Sequence, residues 1–264
     1  MAQGFMLVLA SIGSKVDPTT FHDWYDNEHI PLRYDVPAFL TFQRWHAAPA
    51  SPSSSSTTSS TDAAGDANSA GDTAHEYEWA AAYDLTRLAA LAEPPYTTLT
   101  AQRSMRELLI FRDIGAVEQR LYDAYSPPGL NDAKGEEEAD GTANLPPPSP
   151  HSGPATTFLL ESADLKDGQE AAYARWMEED RVPKLSRTKG WVRSRRFVLR
   201  EFRRVGRDGE RDGRAPPHRF LAVHEFGEGY AGEGEGEGKG EVVREVVERE
   251  EVRRWEMHKS FQRP

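Results

Sequence analysis

The chain has 264 residues, a formal net charge of −11 at pH 7 and no cysteine. Without cysteine it can form neither disulfides, nor a thiolate nucleophile, nor a cysteine-ligated metal site. The excess of negative charge argues against nucleic acid and anionic membrane surfaces as partners. No apolar run approaches the roughly 18 residues that a membrane-spanning helix needs, so we expect a soluble, cytoplasmic protein.

Four stretches are rich in Ser, Pro, Gly or acidic residues and poor in large apolar ones. Such stretches cannot bury enough apolar surface to offset the entropy of ordering them. We therefore predict two units joined by a disordered linker, with a disordered insertion in the first unit and two flexible loops in the second. The two units are residues 1–125 and 156–264, and the linker is 126–155. The insertion is 49–74, and the two loops are 206–217 and 227–240.

Apolar periodicity predicts the same order of elements, βαββαβ, in both units. The first unit has a strand at 4–12, a helix at 18–30, strands at 39–47 and 75–85, a helix at 96–112 and a strand at 117–125. The second has a strand at 156–163, a helix at 168–182, strands at 191–204 and 218–226, a helix at 240–252 and a strand at 253–261. This is the order of the ferredoxin-like split βαβ unit.

The helix predicted at 240–252 rests on an apolar stripe and on charge pairs four residues apart, which stabilise helices. The stripe is formed by Val242, Val243, Val246 and Val247, and the pairs are Glu245–Arg249 and Glu250–Arg254.

Residues 21–45 align without a gap with residues 173–197, at a constant offset of 152, and the apolar run 5–11 falls next to 157–163 at the same offset. Trp24 aligns with Trp176, Pro31 with Pro183 and Arg44 with Arg196. A match of this kind predicts a tandem duplication. Because a single βαββαβ unit leaves one sheet face bare, we predict an α+β fold in which two ferredoxin-like repeats pack sheet to sheet.

The segment FHDWYDNEHIPLRYDVPAF, residues 21–39, resembles the EthD-like branch of the dimeric α+β barrel superfamily, and the long insertions resemble those of filamentous-fungal members. The resemblance implies an intramolecular pseudo-dimer, which we expect to be a monomer or a weak homo-oligomer. Superfamily members include polyketide cyclases, cofactor-free monooxygenases, lyases, haem enzymes and proteins of no known activity. The second repeat has Arg181 where the first has His29, so at most one half would use this histidine.

His29 has two interpretations. Pro31 disfavours helical geometry at Ile30, so we expect the helix to end there and the imidazole to cap its free carbonyls. Alternatively, His29 is a general base or acid at the mouth of a pocket, oriented by Asp26 and flanked by Tyr25.

Alternation along the third strands places His75, Tyr77, Trp79 and Tyr83 on one face of the first unit, and His218 and His224 on the matching face of the second. These faces either line a flat, mostly apolar cavity or pack between the two sheets. Tyr83 and His224 lie nearest the strand ends and are the better pocket candidates.

Acids and arginines recur at equivalent positions, Glu28 with Asp180 and Arg44 with Arg196. We interpret them as structural ion pairs between a helix and a strand.

These observations favour a protein that binds a small aromatic or polyketide-like molecule. Catalysis would be cofactor-independent, with His29 as the base and Tyr83 or His224 stabilising an oxyanion. Two alternatives remain: a non-catalytic binding or stress-related module, and a haem protein with His218, His224 or His75 as the axial ligand. Metal-ligand spacings such as HxxxH and HExxH are absent from the sequence, so we expect no metal site.

Overall fold

Among the residues that the structure describes, eight strands close into one antiparallel barrel, in the order β1-β3-β2-β8-β5-β7-β6-β4. The strands are β1 Gly4–Ser11, β2 Phe42–Ala47, β3 Trp79–Leu85, β4 Ala116–Ala124, β5 Thr157–Leu165, β6 Trp191–Val205, β7 Phe220–Phe226 and β8 Val247–Phe261. The structure, a computed structural model, describes residues 3–49, 77–125, 141–142, 145–149, 153–208, 214–232 and 241–264. The predicted α+β class is confirmed.

Short helices pack on the outer surface of the barrel. They are α1 Pro18–Trp24, α2 Pro94–Ala101, α3 Met105–Asp113, α4 Glu170–Trp176, α5 Val182–Leu185 and α6 Glu241–Val246. The helix residues Phe21, Trp24 and Ile110 share one apolar cluster with the strand residues Tyr83 and Val117. Within the described part of the chain, none of the helices has the length and apolar character needed to cross a bilayer.

Two strand pairings, β2–β8 and β4–β6, join residues of the first half of the chain to residues of the second. We call these pairings the two seams. Each seam is a ladder of backbone hydrogen bonds with one register shift, between Arg44 and Trp45 in β2–β8 and between Leu121 and Tyr122 in β4–β6. Neither half of the barrel therefore has a free edge.

The helix predicted over 240–252 is wrong beyond Val246. From Val247 the chain runs as β8, a strand of 15 residues that pairs with β2 on one side and β5 on the other. Pairs four residues apart contribute only about 0.2–0.5 kcal/mol each to a helix, and the two ladders outweigh them. Arg249 accordingly binds Asp164, with its Nε 2.9 Å from the carboxylate oxygen.

Aromatic rings fill the interior of the barrel. Trp45 stacks on Phe158 with ring centroids 3.6 Å apart, and Phe5 stacks on Phe197 at 4.9 Å. Each stack joins a strand of the first half to a strand of the second. Such pairs add roughly 0.5–1.5 kcal/mol to the burial of the rings themselves.

A buried ion cluster shares the interior with these rings. Arg195 on β6 lies 2.6 Å from Asp84 and 2.9 Å from Glu225. All three side chains are buried, so the arginine is compensated on both sides, as a charge inside a protein must be.

Alternation in β3 sends Ala81 and Tyr83 towards the helices, while Ala80 and Ala82 face the barrel interior. The third-strand face that was expected between the sheets therefore lies beneath the helices. Tyr77 precedes β3 and departs from the alternation, because it joins the interior cluster. His75 lies outside the described residues.

Parts of the stretches predicted to be unstructured are among the described residues. The ring of Tyr230 stacks on Phe226 at 3.8 Å, and the Gly141 carbonyl accepts a hydrogen bond of 2.9 Å from the amide of Arg196. Within these stretches, residues 126–140, 143–144, 150–152, 209–213 and 233–240, and all of 49–74 except Pro49, lie outside the described residues.

Candidate functional site

A widened turn at the end of α1 brings His29 inward. Asp17 caps the start of α1, since its carboxylate accepts a hydrogen bond of 2.8 Å from the amide of Thr20. After Trp24 the chain continues as a π-helical turn, Tyr25–His29, in which the amide of Ile30 bonds the carbonyl of Tyr25 at 3.0 Å. Such turns occur frequently at functional sites.

The helical path does not end before Pro31, contrary to expectation. Ile30 keeps helical angles, φ −70° and ψ −49°, and Pro31 opens a 3₁₀ turn, Pro31–Arg33. Proline is tolerated there because its missing amide falls in the first turn, where no intrahelical partner is needed. The turn places the buried side chain of Arg33 beside His29.

A cavity of about 180 Å³ lies between the outer face of the barrel wall and the layer formed by the end of α1, α2 and α3. Its wall is largely apolar, with Met6, Val8, Leu99, Phe111 and Val117 among the lining residues. Its polar lining includes His29, Tyr83, Glu107, Arg33, Arg103 and Arg203. A mostly apolar cavity with a few convergent polar groups is the usual form of a small-molecule site.

His29 is 8% exposed, and its ring lies against Trp24 and Tyr25, with centroid distances of 4.5 Å and 4.8 Å. Burial lowers the pKa of His29 well below 6.5, and the charges of Arg33 and Arg103 lower it further. The imidazole is therefore neutral at pH 7 and can accept a proton.

The carbonyl of His29 receives its hydrogen bond from the guanidinium of Arg33 rather than from an imidazole. The Nδ1 atom of His29 lies 3.4 Å from Oε1 of Glu107 and has no hydrogen-bond partner among the described residues. The ring thus faces a carboxylate across the cavity wall.

Glu107 is a site residue that the sequence reasoning missed. It lies in the first turn of α3, where its amide donates a 3.0 Å hydrogen bond to the Oγ of Ser104. Burial raises the pKa of Glu107, while Arg33 and Arg103 oppose that shift. The available signal was the Ser-x-x-Glu pattern at 104–107, typical of a helix start, but it gives no hint that the carboxylate turns towards His29.

Tyr25 and Tyr83 meet through their hydroxyl groups, whose oxygens are 3.2 Å apart. Both side chains are buried, and burial raises the pKa of each above 10. Tyr83 also lines the cavity. A tyrosine that stays protonated can donate a hydrogen bond to a ligand oxygen.

His224 lies in the other half of the chain, away from this cavity. Its side chain is completely buried, with Nδ1 2.8 Å from the Oγ of Ser194 and Nε2 3.6 Å from Glu161. Arg181 lies beside it and binds Glu161 through Nε at 2.9 Å. The space next to Arg181 and Glu161 is only about 20 Å³, so a charged cluster occupies this region.

The repeated ion pairs use other acids than expected. Arg44 binds Asp26 at 2.5 Å, and Arg196 binds Glu178 at 3.0 Å. Asp26 also binds Lys259 at 2.9 Å, so it faces away from His29 and does not orient it.

Glu28 and Asp180, the acids expected to pair with Arg44 and Arg196, bind other residues. Glu28 accepts a hydrogen bond from the Oγ of Ser104, and Asp180 pairs with Lys184 at 2.7 Å. Asp26 lies four residues after His22, so helical spacing places both on the face that meets Arg44, whose other terminal nitrogen lies 2.8 Å from Nδ1 of His22.

The other aromatic and histidine candidates lie elsewhere. Tyr77 donates a 3.3 Å hydrogen bond to Glu118, and burial together with this carboxylate raises the pKa of Tyr77 to about 12. Trp79 lies among histidine rings on the outer surface, 4.3 Å from His22, and His218 contacts Asp164 at 3.1 Å.

A haem axial ligand is not supported by these positions. Neither His218 nor His224 lines the cavity, and both ring nitrogens of His224 face protein groups. Among the described residues, no group of three or more His, Asp or Glu side chains is arranged to hold a metal ion.

No known family profile matches the sequence, and no curated protein matches it. Among solved structures, the chain is similar to an anthrone oxidase-like protein, with a TM-score of 0.51 and 7% identity over 100% of this chain and 94% of the other. For a candidate monooxygenase from Lactobacillus acidophilus, the TM-score is 0.47 and the identity is 8%, over 100% of this chain and 97% of the other. For a candidate monooxygenase from Fusobacterium nucleatum, the TM-score is 0.47 and the identity is 6%, over 98% of this chain and 94% of the other. At such identities the likeness concerns the fold alone, and the chain has the α+β barrel fold of the anthrone oxidase-like protein.

Proposed function

We propose that the protein binds a small aromatic molecule in the His29 cavity and removes a proton from an activated C–H of that molecule, without a cofactor. One observation carries the proposal: a neutral, buried imidazole, a buried carboxylate and a tyrosine pair converge on one largely apolar cavity. Groups with perturbed pKa values in a cleft are typical of catalytic sites.

In the proposed reaction, Glu107 accepts a hydrogen bond from Nδ1–H of His29, which leaves the Nε2 lone pair free. The 3.4 Å separation is about half an ångström beyond a usual hydrogen bond, and catalytic contacts commonly shorten when a substrate binds. Nε2 then takes the proton from a carbon next to a carbonyl group. The C–H electron pair passes to the carbonyl oxygen, forming an enolate.

Tyr83 stabilises that enolate oxygen. When the hydroxyl of Tyr25 donates its hydrogen bond to the oxygen of Tyr83, the hydroxyl of Tyr83 is free to donate a hydrogen bond to the ligand. The two residues therefore act in series. Removing one donor of this kind typically costs 10²–10³ in rate. The enolate is a common first intermediate of cyclase, lyase and cofactor-free monooxygenase reactions, which are the activities we propose. The neighbour named anthrone oxidase-like agrees with an aromatic ketone as the ligand class.

We further propose that the chain is a tandem duplication of two ferredoxin-like units, 1–125 and 156–264, of the EthD-like type. The strand order supports this proposal, because it is the same in both halves: last, first, third and second strand, which gives β4-β1-β3-β2 and β8-β5-β7-β6. The π-helical turns Tyr25–His29 and Met177–Arg181 also lie 152 residues apart. In this view only the first unit keeps an open site, because Arg181 occupies the position of His29.

Deuterium exchange into 2-tetralone tests the reaction. This bicyclic ketone carries acidic C–H groups next to its carbonyl, and NMR in D₂O follows their exchange. We expect the protein to accelerate exchange and His29→Gln to slow it by about 10²-fold or more. His46→Gln removes an exposed histidine outside the cavity and serves as the matched control. Equal rates for wild type and His29→Gln would contradict the proposal.

A further inference from the structure

We infer that the aromatic ligand of the His29 cavity carries a carboxylate in addition to its reacting carbonyl group, and that Arg33, Arg103 and Arg203 hold this carboxylate. The inference deepens the proposed function and rests on this cavity being the binding site. Its basis is the charge of the cavity lining, which the acid–base mechanism does not use.

The charges that line the cavity do not balance. Three guanidinium groups face it, from Arg33, Arg103 and Arg203, against the single carboxylate of Glu107. His29, which could add a further positive charge, is neutral because burial lowers its pKa. The chain as a whole carries a net charge of −11, so the excess of positive charge is specific to this site. A concave site with such an excess attracts anions.

Arg33 is built into the cavity wall with hydrogen-bonding capacity left over. Its side chain is buried, at 7% exposure, and one terminal nitrogen binds the carbonyl of His29. Its Nε has no hydrogen-bond partner among the described residues. Leaving a buried donor unsatisfied costs about 1–3 kcal/mol, and more for a charged group. A ligand that supplies an acceptor would therefore recover energy that the free protein lacks.

Arg103 is in a similar position. Its Nε lies 3.7 Å from Glu107, too far for a hydrogen bond, and has no hydrogen-bond partner among the described residues. Its guanidinium carbon lies 4.8 Å from the ring centre of Phe111, which holds the side chain over the cavity. Two planar guanidinium groups with free donors are suited to a carboxylate, which such groups bind in a forked geometry.

Arg203 reaches the cavity from the other half of the chain. It lies on β6, opposite Gln119 of β4, and so crosses a seam of the barrel. The side chain is exposed, and within the described part of the chain it forms no ion pair. The rim of the site in the first half is thus completed by a cation from the second half.

The size of the cavity limits the aromatic part of the ligand. A cavity of about 150 Å³ is known to hold one benzene molecule, and this one measures about 180 Å³. One ring or two fused rings fit against the apolar wall, and a third ring would extend past Leu32 and Arg203 at the exposed rim.

Binding of 2-naphthoate and 2-naphthamide tests the inference, because the two probes differ in the acid group alone. Titration calorimetry should show 2-naphthoate binding at least tenfold tighter than the amide. Arg203→Gln should weaken naphthoate several-fold and leave the amide unchanged, and Arg33→Gln should remove most of the preference. Arg200→Gln is the matched control, since Arg200 is an exposed arginine on the same strand that pairs with Asp123 and does not line the cavity.

Equal affinity of the two probes for wild type would overturn the inference, as would a preference for naphthoate that survives both Arg33→Gln and Arg203→Gln. Absence of binding by either probe at millimolar concentration would also overturn it. Arg203 is exposed, so its variant tests the idea even if Arg33→Gln fails to fold. Arginine-dependent naphthoate binding without tetralone exchange would uphold the inference while contradicting the proposed reaction, so the two failures are distinguishable.

Discussion

The hydroxyl oxygens of Tyr25 and Tyr83 lie 3.2 Å apart and form a buried pair across 58 residues of sequence. Only one of the two protons can lie between the oxygens. The other proton is free to point elsewhere, and Tyr83 is the member of the pair that lines the cavity.

The two tyrosines should therefore have unequal effects on the proposed reaction. Tyr83→Phe removes the donor to the ligand and should lower the tetralone exchange rate by roughly 10²-fold. Tyr25→Phe only removes the residue that orients Tyr83 and should have a clearly smaller effect. Each variant loses about 1 kcal/mol of unfolding free energy. Exchange rates measured alongside urea unfolding separate the two effects, and equal rate losses in the two variants would count against the series arrangement.

Arg181 and Glu161 should show strong coupling. Arg181→Met leaves the buried carboxylate of Glu161 without its main partner, and loss of one partner of a buried pair costs about 3–5 kcal/mol. The double variant Arg181→Met/Glu161→Leu removes both charges and should recover most of that loss.

Urea unfolding of wild type, both single variants and the double variant gives the coupling energy directly. The exposed pair Arg87–Glu93 is the matched control, since surface ion pairs contribute about 0–1 kcal/mol. Additive losses at Arg181 and Glu161 would show that the pair does not act as a unit.

His22 predicts a pH dependence of stability. Its pKa is lowered from 6.5 to about 4 by burial first, then by Arg44 and His258, with a further contribution from His46 and an opposing one from Asp26. Because the folded-state pKa lies below the unfolded one, the unfolded chain takes up the proton first as the pH falls. The contribution to stability is complete above pH 6.5 and is lost progressively towards pH 4.

The variant His22→Gln should therefore lose less stability than wild type between pH 6.5 and 4.5. The carboxylates that lie away from His22 and whose pKa values are lowered, such as Asp164, titrate mainly below this window and affect both proteins alike. Unfolding free energies at the two pH values provide the measurement. Parallel losses in wild type and variant would show that His22 does not titrate differently on folding.

The ring of Phe158 joins the two halves inside the barrel through its stack on Trp45. Phe158→Ala should cost about 3–5 kcal/mol of unfolding free energy, because the ring is fully buried and leaves a cavity. Phe158→Leu keeps most of the volume and should cost clearly less. Calorimetry or urea unfolding checks both values, and similar losses for the two would show that filled volume is not what matters there.

The sequence was sufficient for strands β1 to β7 and for the alternation of β3, because both follow from local apolar patterns. It was insufficient at α6 and β8. Valine, glutamate and arginine alternate there in a way that suits helix and strand alike, and pairing with β2 and β5 decides between them. Distant partners of this kind leave no local signal.

The site was predictable only in part. The histidine and the tyrosines were found because they belong to a motif and to a strand face. Arg33 and Glu107 were missed, since their roles depend on a 3₁₀ turn after Pro31 and on the packing of α3 against α1. The acid that pairs with Arg44 was misassigned because the helix face that meets the strand carries His22 and Asp26, while Glu28 turns towards Ser104.

The two seams have a consequence for biosynthesis. The partners of β2 and β4 are β8 and β6, which are made only after the whole first half has been synthesised. Until then the nascent first half carries two open sheet edges, and open edges pair with any compatible strand. On crowded polysomes, the second halves of neighbouring chains offer the same complementary edges. Slow translation through the central segment should therefore raise the yield of strand-exchanged dimers, in which each barrel is assembled from two chains.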